Sequence, residues 1–208
     1  MFRFGVVRSA LAAVLIGCAA SLGASAEVDF NSLSVGSAFG AGAGNSPGQI
    51  IPSLGQAGIN VSVENFRAGS YTNLFLAVVH DTGSDMFPTR HMYLDNISLG
   101  FDLTGVGFPV NQLTVDYHEF GGVDNFSVNG GAVIELPALT SLPVNIAPGV
   151  TASADSDSIT LSGSVSRFLI GGQELAIDNI IATPEPTCLA LLGVGGLVLL
   201  RRVRKSTP

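Results

Sequence analysis

Residues 58–66 read GINVSVENF and residues 157–170 read DSITLSGSVSRFLI. In the first, Ile59, Val61 and Val63 recur at every second position, with Asn60, Ser62 and Glu64 between them. Alternate residues of an extended chain point to opposite sides, so the pattern gives one apolar and one polar face. A helix would instead turn Val61 to the side opposite Ile59 and Val63 and scatter the apolar residues round its circumference. In the second, Ile159, Leu161 and Val165 keep the alternation on either side of Gly163. Both stretches read as half-buried β-strands.

Working outward, EVDFNSL (27–33), NLFLAVVHD (73–81), HMYLDNISLGFDL (91–103), QLTVDYHEF (112–120), NFSVNG (125–130), AVIELPAL (132–139) and ELAIDNIIA (174–182) carry similar short apolar patterns. Gly, Asn, Asp, Ser and Pro punctuate them about every ten residues, the rhythm of an all-β sandwich or barrel. Asn129-Gly130 marks a hairpin turn, because both residues tolerate positive φ. Residues 35–58, VGSAFGAGAGNSPGQIIPSLGQAG, are rich in glycine and small side chains and read as a long loop. The outer strands of a sandwich commonly lie near the chain ends, so EVDFNSL and ELAIDNIIA are expected to be neighbours.

Charge divides the chain into three. Residues 27–183 hold three arginines (Arg67, Arg90, Arg167), no lysine and fifteen acids, a formal charge of about −12. Nucleic-acid phosphates and anionic lipid bind through Lys and Arg, so this body has no affinity for either. Residues 1–26 hold Arg3 and Arg8 and no acid, followed by an apolar stretch and Ala24-Ser25-Ala26. That is the composition of an export signal peptide, cleaved between Ala26 and Glu27. Leu15-Ile16-Gly17-Cys18 resembles the lipoprotein box and offers a competing cut at a lipidated Cys18. With Cys18 and Cys188 both outside it, the body has no cysteine and must rely on its hydrophobic core.

Candidate chemistry is sparse. Asp81-Thr82-Gly83-Ser84 reproduces an aspartic-protease triplet, and FLIGG (168–172) is similar to the hydrophobic-glycine element of those enzymes. That chemistry needs two carboxylates sharing a proton, and one triplet is present; a polar turn accounts for the same residues. His80, His91 and His118 lack zinc-site spacing. Asp116 and His118 share one strand face and Glu119 takes the other, an arrangement open to a metal, a sugar or solvent. Glu27, Asp29 and Asp178 are calcium candidates if the terminal strands pair, and Asp155 to Ser158 is a second acidic group or a hairpin turn. No nucleophile elbow, phosphate-cradling loop or dinucleotide fingerprint occurs, and no cofactor is expected. Tryptophan is absent, leaving Tyr71, Tyr93 and Tyr117 for sugar stacking.

The tail reads TPEPTCLALLGVGGLVLLRRVRKSTP (183–208). Its apolar run from Cys188 to Leu200 spans about 20 Å as a helix, short of a hydrocarbon core of about 30 Å. Starting the helix at Thr183 extends it to about 27 Å, and arginines can snorkel to cover the rest. Pro184-Glu185-Pro186, the Leu/Gly run and the basic stop Arg201, Arg202, Arg204 and Lys205 together resemble the PEP-CTERM sorting tail of exported bacterial proteins. The resemblance implies recognition by an exosortase, a membrane-embedded cysteine enzyme. It also implies a membrane-held intermediate and delivery to the cell surface or exopolysaccharide matrix of a Gram-negative bacterium. For the body it implies a jelly-roll-like β-sandwich. The expected organisation is therefore a signal helix (1–26), one all-β sandwich domain (27–183) and a sorting tail with a short apolar helix (184–208). The expected role is non-enzymatic, structural or polysaccharide-binding. The alternative is a hydrolase or lyase of matrix polymers acting through Asp81, Asp116 or Glu119.

Overall fold

The structure, a computed structural model, describes residues 25–81 and 87–184. The expected signal segment up to Ala24, residues 82–86 with Thr82, Gly83 and Ser84 of the protease-like motif, and the expected sorting tail from Glu185 lie outside the described residues. Strands form where side chains alternate: β1 (Ala26–Val28), β2 (Ala38–Phe39), β3 (Asn60–Glu64), β4 (Phe66–Ala68), β5 (Tyr71–Asn73), β6 (Leu76–His80) and β7 (His91–Asp95). They continue with β8 (Ile97–Asp102), β9 (Gln112–Val128), β10 (Ile134–Leu136), β11 (Asn145–Ala147), β12 (Val150–Ala154), β13 (Ser158–Gly163) and β14 (Arg167–Thr183). Helical structure among the described residues is confined to two three-residue 3-10 turns, and no helix there is long and apolar enough to cross a membrane. The described residues are all-β, as the alternation predicts.

Twelve strands join in one antiparallel sheet, with β4 and β5 forming a separate ribbon. Its axis is the pairing of β9 with β14, each 17 residues long. At about 3.3 Å per residue such strands reach roughly 55 Å, enough to serve two neighbourhoods. The first half of β14 takes β8 on one edge and the end of β9 on the other, with Phe168 opposite both Phe101 and Val128. The second half takes β7 and β1 on one edge and the start of β9 on the other, with Ala176 opposite both Tyr93 and His118. Beyond these, β3 extends β8, β6 and β2 extend β7, and β13, β12 and β11 extend β9. The terminal strands do pair, Val28 with Ile180.

The inward faces feed one continuous core. It includes Ile59, Val61 and Val63, then Ile159, Leu161 and Val165, as the opening stretches predict. Phe101 and Phe168 stack at 4.6 Å with Phe126 beyond, so three rings tie β8, β14 and β9 together. Full burial of each ring contributes about 1.5–3 kcal/mol.

Two glycine pairs mark the junction between the halves of the sheet. Gly121 and Gly122 have φ of 132° and 93°, and the register slips there, with Glu174 opposite Gly121 but Leu175 opposite Glu119. Phe120 is the extra residue of this β-bulge, which re-aims side chains beside it. On β14, Gly171 lies against β8 so closely that an added Cβ would stand 2.6 Å from the Ser98 Cα.

Residues 35–58 depart from the loop reading. Backbone bonds from Gly48 and Ile51 to Val63 and Val61 lay this segment along β3, and Ile51 and Leu54 enter the core. These two apolar side chains decide its course despite the glycine content around them. The turn at Asn129-Gly130 forms as expected: both have positive φ, and the Gly131 N–H donates to the Val128 carbonyl.

Asn125, fully buried on β9, acts as a surrogate strand for the β4–β5 ribbon. Its Oδ1 accepts from the Arg67 N–H at 2.6 Å and its Nδ2 donates to the Arg67 carbonyl at 2.8 Å. Leaving such groups unpaired costs about 1–3 kcal/mol. Asn125→Ala should lower unfolding free energy by about 2 kcal/mol in urea titration, and Asn125→Asp, which cannot donate, should not restore it.

Candidate functional site

Directly opposed residues of neighbouring strands point to the same side of a sheet. The register therefore assembles a row of side chains across four strands: Val78 on β6, Tyr93 on β7, Ala176 on β14 and His118 on β9. A second row, one pleat away on the same face, carries His80 opposite His91 and Asp178 opposite Asp116. Alternation adds Asp95, Glu174 and the bulge residue Phe120 to this face. All three histidines of the chain thus stand on one side, while Val79, Met92, Leu94, Leu175, Ile177 and Tyr117 face the core.

The rings touch one another. His80 stacks on Tyr93 at 5.0 Å and 5°, Tyr93 meets Phe120 edge-on at 5.7 Å, and Phe120 meets His118 edge-on at 5.0 Å. Strands β7 and β9 flank β14 and are about 10 Å apart, so Tyr93 and Phe120 meet above it. Ala176, buried between them, leaves room for that contact. Phe120 is 44% exposed, the most open of the four rings in a row that is otherwise half-buried. Burial, then the charges of Glu174 and Asp95, push the Tyr93 phenol above its ordinary pKa.

One edge of the face is closed by residues 87–90. The Thr89 hydroxyl donates to Asp178 Oδ2 at 2.6 Å, and Arg90 donates to the carbonyls of Leu33 and Asn31 at 2.6 and 3.0 Å. Asp178 is fully buried, and burial raises its pKa, opposed by the Thr89 hydroxyl and the Asn179 N–H and reinforced by Asp29 and Asp116. His91 is also buried, and burial holds its pKa down against the pull of the Thr89 carbonyl. Asn179, in the left-handed region at φ 47°, donates to Asp116 Oδ2 at 2.9 Å.

Pairing of β1 with β14 brings Asp29 and Asp178 to adjacent strands, and Glu27 sits opposite Ile181. Among the described residues no three His, Cys, Asp or Glu side chains stand close enough to hold a metal ion, so the calcium candidates do not converge. Asp155 accepts from the Asp157 and Ser158 N–H groups at 3.0 and 2.7 Å, which makes its segment a hairpin turn. The alternative catalytic carboxylates are separated: Asp81 follows β6 and is exposed, Asp116 lies on the ring face and Glu119 points the other way.

No protein-family model matches the chain, and no curated protein matches it. The site rests on its geometry.

Glu119 meets a partner that alternation alone does not reveal. It accepts from the Leu139 N–H and faces Asp124, which is 3% exposed and whose Oδ1 lies where a Cβ on Gly172 would come within 2.8 Å. Burial and the Glu119 carboxylate push the Asp124 pKa up to about 8. Asp124 is buried and Glu119 half-buried beside it. The folded chain favours the protonated acid, so the stabilisation is complete below the ordinary carboxylate range near pH 4 and is lost as pH rises to about 8. Asp124→Asn should flatten that decline, and urea unfolding at pH 5, 7 and 9 should show the variant gaining on the parent chain at each step.

Sequence reasoning placed Asp116 and His118 on one face and kept Tyr93 among the sugar-stacking candidates, but missed Phe120, Asp95 and Glu174. The spacing of HMYLD, with His91, Tyr93 and Asp95 at alternate positions, held part of that signal. The rest needed the register.

Proposed function

We propose that the chain is an exported, sorted surface or matrix protein whose body binds polysaccharide through the ring face and catalyses no reaction. The single observation that carries the binding reading is the contiguous line His80, Tyr93, Phe120 and His118 on one side of the sheet. Sugar rings present apolar C–H faces to aromatic planes and hydroxyls to carboxylates, and this surface supplies both. Tyrosine and phenylalanine take the part that tryptophan would otherwise play. The body is read as a jelly-roll-like sandwich in which the two halves of the sheet face each other across their shared core.

The sorting reading rests on the tripartite tail and on charge. Export of a body at about −12 leaves Arg201, Arg202, Arg204 and Lys205 on the cytoplasmic side, following the positive-inside tendency. An exosortase then acts at Pro184-Glu185-Pro186 while the apolar run holds the chain in the membrane. Ala26 is buried and paired within β1, so signal cleavage between Ala26 and Glu27 precedes folding.

Two measurements test these readings. On a glycan array the full chain should retain at least one polysaccharide, and Tyr93→Ala and Phe120→Ala should each weaken retention tenfold or more without changing the circular dichroism spectrum. In the producing bacterium, replacing Pro184, Glu185 and Pro186 by alanine should leave unprocessed chain in the membrane fraction, with the surface fraction depleted.

A further inference from the structure

The charges around the ring face are all of one sign. Asp95 and Glu174 both act on the Tyr93 phenol, Glu174 is exposed and Asp95 half-buried, and Asp116 lies one pleat from His118 on β9. No Lys or Arg occurs on β6, on β7, on β9 or in residues 174–183 of β14. Of the three arginines of the body, one stands at the closed edge of the face with its guanidinium occupied, and two lie away from it. Arg90 is held by the Leu33 and Asn31 carbonyls, Arg167 pairs with Glu64 at 2.8 Å on the other half of the sheet, and Arg67 lies on the β4–β5 ribbon.

We infer that this face selects uncharged polysaccharide and rejects polyuronates, with Asp95 and Glu174 as the specificity-determining residues. The inference rests on the glycan-binding reading above. A neutral sugar stacked on Tyr93 and Phe120 turns hydroxyl donors towards the two carboxylates, and a hydrogen bond to an ionised acceptor is stronger than a neutral one. A uronate brings its own carboxylate to the same place, where it meets like charge and no cation to offset it. Discrimination of this kind comes from repulsion built against the wrong ligand. It is also screened by salt, because the Debye length falls from about 10 Å at 0.1 M to about 3 Å at 1 M.

The test is a matched pair of ligands. Hexasaccharides of β-1,4-glucan and β-1,4-mannan, and the same hexasaccharides oxidised at C6 to uronates, are titrated against the full chain by calorimetry at pH 7 in low salt. The parent chain should bind at least one neutral hexasaccharide and bind its uronate counterpart tenfold or more weakly, with the gap closing in 1 M salt. Asp95→Asn with Glu174→Gln should bring the two affinities within about threefold, mainly by gain of uronate binding, and adding Tyr93→Ala should abolish both. Equal binding of the pair by the parent chain, a preference for the uronate, or an unchanged ratio in the double variant would overturn the inference while leaving a glycan-binding protein. Failure of the parent chain to bind either member of both pairs would remove the glycan reading, and this inference with it.

Discussion

Everything in the body hangs on the antiparallel pairing of β9 with β14. Neither half of the sheet has a centre without them: β8 and β3 reach the core through the first half of β14, and β7, β6 and β1 through its second half. Each 17-residue strand presents two different edges, and a sheet edge is satisfied only when its N–H and C=O groups find partners. The cluster of Phe101, Phe126 and Phe168 lies at one end of this axis and the ring face at the other. A packing fault in Phe168 and a register fault at Ala176 would therefore strike the same object.

The bulge at Phe120 links that architecture to chemistry. An uninterrupted ladder would continue the alternation past His118 and hold β9 straight. The extra residue and the two positive-φ glycines instead turn Phe120 outwards to meet Tyr93, and they let Asp124 come round to Glu119 on the inside. One irregularity thus shapes both the aromatic line and the Asp124–Glu119 juxtaposition. The two differ in exposure: Phe120 stands open to solvent, and Asp124 is buried.

Much of the fold was legible because half-burial imposes a period of two. Residues 58–66 and 157–170 and the Asn129-Gly130 turn follow from that period and from turn chemistry, whereas the pairing of the two ends came from the common placing of outer strands. The long strands were not legible. Gly121-Gly122 and Gly171-Gly172 look like punctuation, and each cuts one strand into two short candidates. Their purpose is local: the first pair accommodates positive φ within a bulge, and Gly171 admits the backbone of Ser98. The site was half legible for a related reason. Alternation tells which residues of one strand share a side, but it cannot tell which strands lie side by side, and the ring line exists only across strands.

The strand on which both halves depend is the last of the fourteen in chain order. A chain threaded outwards from its beginning exposes β3, β8, β7 and the whole of β9 before the partner that organises them has emerged. Most of its contacts must wait for residues 167–183, which gives the body a high contact order and slow closure. Synthesis and folding are thereby put in series: the polypeptide stays open while most of it is made, and closes when the segment just ahead of Pro184 has emerged.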